Sequence, residues 1–318
     1  MATNNSFRDA RLVRAVPRLA AAVALLLLAM APAANAQQSF KSAEEAADAL
    51  GAAARSGDRG AMLTVLGRVG ADIASSGDAV ADTATRQEFL AAYDAKHQVA
   101  MEGDSKAILI VGKDDFPFPI PLVRKEGAWQ FDTAAGREEI LFRRIGRNEL
   151  RTIQTCLAYV DAQNEYAEKG VAGNGVYAQR IVSRPGQKDG LYWPTKAGED
   201  ESPLGELAAS AAASGYSAGQ GRRPYHGYFY RILTRQGADA PGGALDYSVR
   251  GKLIGGFALV AYPAEYGNSG IMTFIVSHDG TVYQKDLGRS TGRTALGMTT
   301  FNPDKTWQKV PDPVQKKN

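Results

Sequence analysis

Few residues in this chain could carry chemistry, and they are scattered. The histidines are His97, His226 and His278, without His-x-x-x-His spacing, and Cys156 is the one cysteine. A zinc centre needs converging His, Cys or acidic ligands, so no metal and no cofactor is expected, although Glu265, Asp246 or Asp279 could join a histidine in space. Cys156 sits at helical spacing among Ile153, Leu157 and Val160 and reads as a core cysteine, not a nucleophile. No Gly-x-Ser-x-Gly elbow is present, and Gly267-Asn268-Ser269-Gly270 reads as a loop between strands. Gly219-Gln220-Gly221 and Gly255-Gly256 lack the strand, glycine loop and helix that turn amides toward a phosphate. The second pair reads as a bulge or a close backbone approach within a strand. The densest polar-aromatic cluster is Tyr225-His226-Gly227-Tyr228-Phe229-Tyr230 together with Tyr262-Pro263-Ala264-Glu265-Tyr266. Were the strand ends to align, His226, Glu265 and Tyr266 could meet as an acid–base or ligand-binding rim. The same tyrosines at alternate strand positions could instead fill a core, with His278-Asp279 simply making a turn. Trp129, Phe131 and Asp132 could line a small pocket; Asp132 could equally cap the next helix.

The elements that must position these residues read as α+β. Ser42 and Glu45 have capping-box spacing ahead of an apolar stripe through Ala46, Ala47, Leu50, Ala53 and Ala54. Short helices around Met62–Leu66 and from Asp82 or Thr83 should follow. Two hairpins are expected, one turning at Glu102–Ser105 and one at Lys125–Gly127. Between them, Phe116-Pro117-Phe118-Pro119-Ile120-Pro121 removes donors at alternate positions, which confines it to a sheet edge or a rigid lip. This helix-plus-curved-sheet lobe, residues 37–136, is cone-like. A helical segment over 137–172 connects it to the rest and could break at Gly146–Asn148. The second lobe, 173–318, should be an antiparallel meander. Its expected parts are a strand or strand–helix junction at 176–183, a short helix at 204–213 capped by Ser202, and strands at 227–234, 252–261, 271–277 and 281–286.

The N-terminus has the three zones of a secretory signal. Arg8, Arg11, Arg14 and Arg18 precede an apolar run from Leu19 to Ala31, and Ala34-Asn35-Ala36 offers a cut before Gln37. The run is shorter than the roughly 20 residues of a membrane span, so residues 1–36 are expected to be removed, leaving no transmembrane span and a periplasmic protein. The whole chain has 37 Lys and Arg against 34 Asp and Glu. Four Arg and one Asp lie in the first 36 residues, so the remainder carries no net charge. Nucleic-acid binding, which needs clustered positive charge, is therefore not expected.

Several segments resemble an exported proteobacterial family catalogued as a domain of unknown function, family twenty-nine fifty. They are Phe116 to Pro121, Trp129 to Ile140, Ile145 to Leu150, Tyr159 to Gln163, Asp189 to Pro194, Tyr225 to Phe229 and Gly255 to Gly267. The resemblance implies export and an intact fold across nearly all of the mature chain, without an activity. At fold level the first lobe is similar to nuclear-transport-factor-like cones and the second to pilin-like globular meanders, and neither likeness assigns a function. The expectation is a non-catalytic binding or scaffolding protein of the cell envelope. Its partner, an envelope protein or a small ligand, would sit on the proline lip (Phe116, Phe118) or the aromatic rim (Tyr225, Tyr228, Tyr262). An envelope hydrolase using His226, Glu265 and Tyr266, or a small-ligand carrier using a cavity at Trp129 and Phe131, are the alternatives.

Overall fold

The computed structural model describes residues 37–196, 198–216 and 223–311. The expected targeting segment including Ala36, the Gly219-Gln220-Gly221 segment and Lys316-Lys317 lie outside the described residues. The fold is α+β. The described residues belong to one compact unit starting at Gln37.

In the first lobe, helices cover one face of a sheet. Ser42 Oγ accepts the Glu45 amide at 3.1 Å while the Glu45 carboxylate accepts the Lys41 amide at 2.9 Å, which fixes the start of α1 (Ala43–Ser56). Gly57, at φ +66°, ends it in the left-handed conformation. Next come α2 (Arg59–Leu66), a short 3-10 turn and α3 (Ala71–Ala74). Helix α4 (Ala79–Ala95) starts at Asp78, not at the expected Asp82 or Thr83. The Asp78 carboxylate reaches the amides of Val80 and Ala81, whereas Asp82 accepts the Ser76 hydroxyl at 2.6 Å.

The antiparallel sheet has β1 (His97–Met101), β2 (Lys106–Val111), β4 (Leu122–Lys125) and β5 (Ala128–Phe131) in that order. The proline segment supplies β3 (Phe116–Pro117), which pairs with the far end of β2, and the chain leaves the sheet at Pro119. The inner face is a filled core: Ala107, Leu109, Val111, Leu122, Trp129 and Phe131 meet Ala46, Leu50, Val65 and Leu66.

Helix α5 (Thr133–Glu168) is continuous, capped by Asp132, and does not break at Gly146–Asn148. Asn148 is buried mid-helix and points sideways, its Nδ2 donating to the Ser269 carbonyl at 2.9 Å, so it caps nothing. The first turns of α5 close lobe one, where Thr133 Oγ1 donates to the Leu66 carbonyl. Its second half lies on the other lobe through Cys156, Tyr159, Val160, Ala162 and Tyr166.

Residues 176–183 form isolated bridges instead of a strand. The reason is local: the Gln163 amide from α5 both donates to the Ala178 carbonyl and accepts its N–H, taking the backbone groups that a neighbouring strand would use. Helix α6 (Gly205–Ala213) follows Leu204, and Ser202 does not cap it. The second lobe then runs through β6 (Tyr228–Leu233), β7 (Arg235–Gln236), β8 (Leu245–Asp246), β9 (Ser248–Val249), β10 (Lys252–Leu253), β11 (Ala258–Pro263), β12 (Met272–Ser277), β13 (Val282–Asp286), α7 (Thr291–Gly297), β14 (Thr300–Phe301) and β15 (Gln308–Lys309). Gly255-Gly256 splits the expected 252–261 strand in two. A Cβ on Gly256, at φ +137°, would stand 2.6 Å from His278 Nδ1, so the pair permits a close backbone approach. The main sheet is an antiparallel meander of order β6, β11, β12, β13, β15. Its principal cover on one face is α5, over Tyr228, Leu259, Phe274 and Val276. Tyr247, Tyr262, Ile275, Ala295 and Phe301 pack on the other face. Among the described residues no helix is long and apolar enough to cross a membrane.

Candidate functional site

The sheets are joined by a polar seam around the middle of α5. Arg144, Arg147, Asn148 and Arg151 recur at three- and four-residue spacing, so one face of the helix carries them all. With the start of α4, Ser76, Tyr216 and His226 they enclose a pocket of about 150 Å³.

Each wall has a physical anchor. Arg144 donates to the carbonyls of Asp72 and Ile73 at 2.6 and 2.8 Å, and to Asn268 Oδ1 at 2.5 Å. Burial lowers its pKa, and the negative charges of Asp82, Asp72 and Glu265 oppose that shift. Asp78 is 1% exposed. One of its oxygens caps α4; the other accepts Tyr216 Oη at 2.8 Å and the Gly227 amide at 2.9 Å. A single carboxylate thus ties a helix of the first lobe to the loop entering β6. Burial raises the Tyr216 pKa, and hydrogen bonding to Asp78 adds to the effect. The Tyr216 oxygen also accepts the His226 amide at 3.2 Å.

His226 holds an unusual backbone conformation, φ +52°, beside Gly227 at φ +77°. Left-handed backbone in a non-glycine residue persists only where surrounding contacts fix it. Here the Asp78 and Tyr216 bonds do so. Burial, reinforced by the Arg151 charge, pulls the His226 pKa from 6.5 down to about 4. The ring is neutral at neutral pH, and Arg151 Nη1 lies 3.4 Å from its Nδ1. A guanidinium has donors only, which assigns the lone pair to that nitrogen.

The residues singled out from sequence divide sharply. His226 lines the pocket, and Tyr225 packs against it with ring centroids 4.1 Å apart. Glu265 packs over Gly77 and accepts Asn268 Nδ2 at 2.7 Å. Among the described residues no hydrogen bond joins it to His226. Tyr266 donates to Asp286 at 3.1 Å, at the other end of its loop. Trp129, Phe131, Tyr228 and Tyr262 are buried in the cores rather than presented on a surface. Tyr228 donates to the Met272 carbonyl at 3.0 Å. Asp132 caps α5. Phe116 is exposed at the lip beneath the Arg143 guanidinium, while Phe118 packs edge-on against Phe131. Cys156 is fully buried, which pushes its thiol up to about 12. His97 stacks on Tyr93, and His278 meets Tyr247 and Phe257 edge-on.

Sequence reasoning missed Asp78, Tyr216 and the three arginines. The arginine spacing was a readable signal, a polar stripe interrupting the apolar stripe of the same helix. Asp78 and Tyr216 carry no signature, because their partners lie far away in the chain.

The family model described as protein of unknown function (DUF2950) matches residues 37–310, and the chain belongs to that family. No curated protein and no solved structure matches it.

Proposed function

We propose that this family member is exported and acts in the cell envelope as a binding protein, holding a ligand in the seam between its two sheets without transforming it. The observation that carries the reading is the pocket itself. There charged side chains from α5 face a concave surface built by both lobes, and its histidine is held neutral beside an arginine. Among the described residues no side-chain hydrogen bond joins the alternative acid–base trio: Glu265 is engaged by Asn268 and Tyr266 by Asp286. Export is supported by the basic, apolar and small-residue zones before Gln37, the residue at which the family match begins. The uncharged balance of the remaining chain argues for a small or protein partner over a nucleic acid.

The test is purification of the chain from envelope and cytosolic fractions, with N-terminal sequencing and native mass spectrometry. The expected species begins at Gln37, comes from the envelope fraction and carries a bound mass that Asp78→Ala releases. A cytosolic species beginning at Met1 would overturn the localisation. An envelope species without bound mass, in the wild type and across offered extracts, would overturn the binding role.

A further inference from the structure

We propose that the seam pocket takes a phosphate monoester, an assignment that rests on the binding role above and gives its ligand a chemical class. The arginines of α5 differ in how their charge is met. Outside the pocket, Arg137 is paired with Asp72 and Arg143 with Glu139; at its base, Arg144 is half-buried against two backbone carbonyls and Asn268. Arg147 and Arg151 are exposed and one turn apart. Among the described residues the Arg147 guanidinium forms no hydrogen bond or ion pair, and the Arg151 guanidinium has only its long contact with neutral His226. Two guanidinium groups therefore open onto one cavity without a hydrogen-bonded acid. Asp82, on the opposite wall, accepts the Ser76 amide and hydroxyl, its negative charge acts on Arg144, and Glu88 stands further along α4, so the three arginines of the lining outnumber its two carboxylates by one.

Donor number selects the ligand. The two open guanidinium groups present more N–H donors than the two oxygens of one carboxylate accept, whereas a phosphate monoester presents three oxygens and a charge of about −1.5 to −2 at neutral pH. The planar guanidinium fork offers paired donors to phosphate oxygens. A cavity of about 150 Å³ has room for a phosphoryl group. Neutral His226, with its Nδ1 lone pair toward Arg151, carries its proton on Nε2, a donor suited to a phosphate oxygen.

The ester could be a soluble metabolite or a lipid headgroup, and the experiment separates them. The mature chain is titrated calorimetrically at low salt with glycerol phosphate, inorganic phosphate and acetate. In parallel it is sedimented with phosphatidylcholine vesicles with and without phosphatidic acid. The phosphate probes should bind at one site, at least tenfold more tightly than acetate. Arg147→Gln and Arg151→Gln should each weaken binding at least tenfold, with unchanged melting temperatures in phosphate-free buffer, while Arg143→Gln should bind as the wild type. Binding of glycerol phosphate supports a soluble ester; binding confined to phosphatidic acid vesicles, with the same arginine dependence, supports a headgroup. Failure of all phosphate probes with folded wild-type protein, equal binding of acetate, or arginine variants that bind normally would overturn the assignment. None of those results would touch export or a ligand of other chemistry, which the N-terminal sequence and the native mass report separately.

Discussion

The two sheets solve the same burial problem differently. The first has one dry face. Along β2, Ala107, Leu109 and Val111 are buried while Lys106, Ile108 and Ile110 look outward, and β1 is almost wholly exposed. The second has two: every residue of β11 is buried, with Leu259 and Ala261 under α5 and Ala258, Val260 and Tyr262 under the opposite cover. An alternating strand marks a sheet with a solvent face, and a continuous apolar run marks one covered on both sides. Between these apolar structures lies the seam, held by hydrogen bonds to Asp78, Asn148, Arg144 and Asn268. The lesson is a division of labour. The sheets derive stability from buried area, and the polar contacts set how the lobes meet and leave room for a pocket.

The comparison can be broken most directly by cavities. Phe274→Ala, at the centre of the doubly covered sheet, should cost about 3–5 kcal/mol in urea denaturation. Ile108→Ala, on the outer face of β2, should cost only about 1 kcal/mol. Equal losses would mean that the first sheet is covered on its outer face as well. The seam comes next. Asp78→Ala removes a helix cap and leaves Tyr216 and the Gly227 amide without their acceptor, so a loss of about 3 kcal/mol is expected. A loss below about 1 kcal/mol would show that the carboxylate does not hold the lobes together.

Glycines of α5 sharpen the contrast between its packed and open parts. A Cβ on Gly136 would stand 2.5 Å from the Pro119 carbonyl oxygen and 2.6 Å from Ile120 Cα, so Gly136→Ala should lower stability by about 1–3 kcal/mol despite alanine's better helix propensity. Gly146 has open space around its Cβ position, and Gly146→Ala should raise stability by about 1 kcal/mol. Thermal melts of the two variants should therefore move in opposite directions.

The last expected effect is a slope. The folded His226 pKa of about 4 lies below its ordinary 6.5, so the unfolded chain takes up that proton first. The contribution is complete above pH 6.5 and is lost as the pH falls toward 4. In His226→Asn, a residue that tolerates left-handed backbone, stability should decline less steeply across this window than in the wild type. Parallel pH profiles would show that the ring is solvated in the folded state.

Much of the local architecture was legible. Ser42 with Glu45, the two first-lobe hairpins and the strands around Phe229, Val260, Phe274 and Tyr283 follow from caps, turns and apolar patterning. The misreadings share a cause. Asn148 resembles a cap but donates sideways to Ser269, residues 176–183 resemble a strand but Gln163 takes their backbone bonds, and Asp82 resembles a cap that Asp78 provides. In each case a polar side chain had several competent partners nearby, and a distant segment decided among them.

The sequence by itself determined the family, the α+β class and the hairpin pairings, because backbone conformation and apolar periodicity are set by neighbours a few residues apart. The tertiary structure alone decided that His226 stands with Arg151 and not with Glu265, and that Asp78 joins Gly227 from 149 residues away. Such contacts depend on how two cores orient a shared helix. That orientation comes from the packing of many side chains at once and leaves no trace at any single spacing.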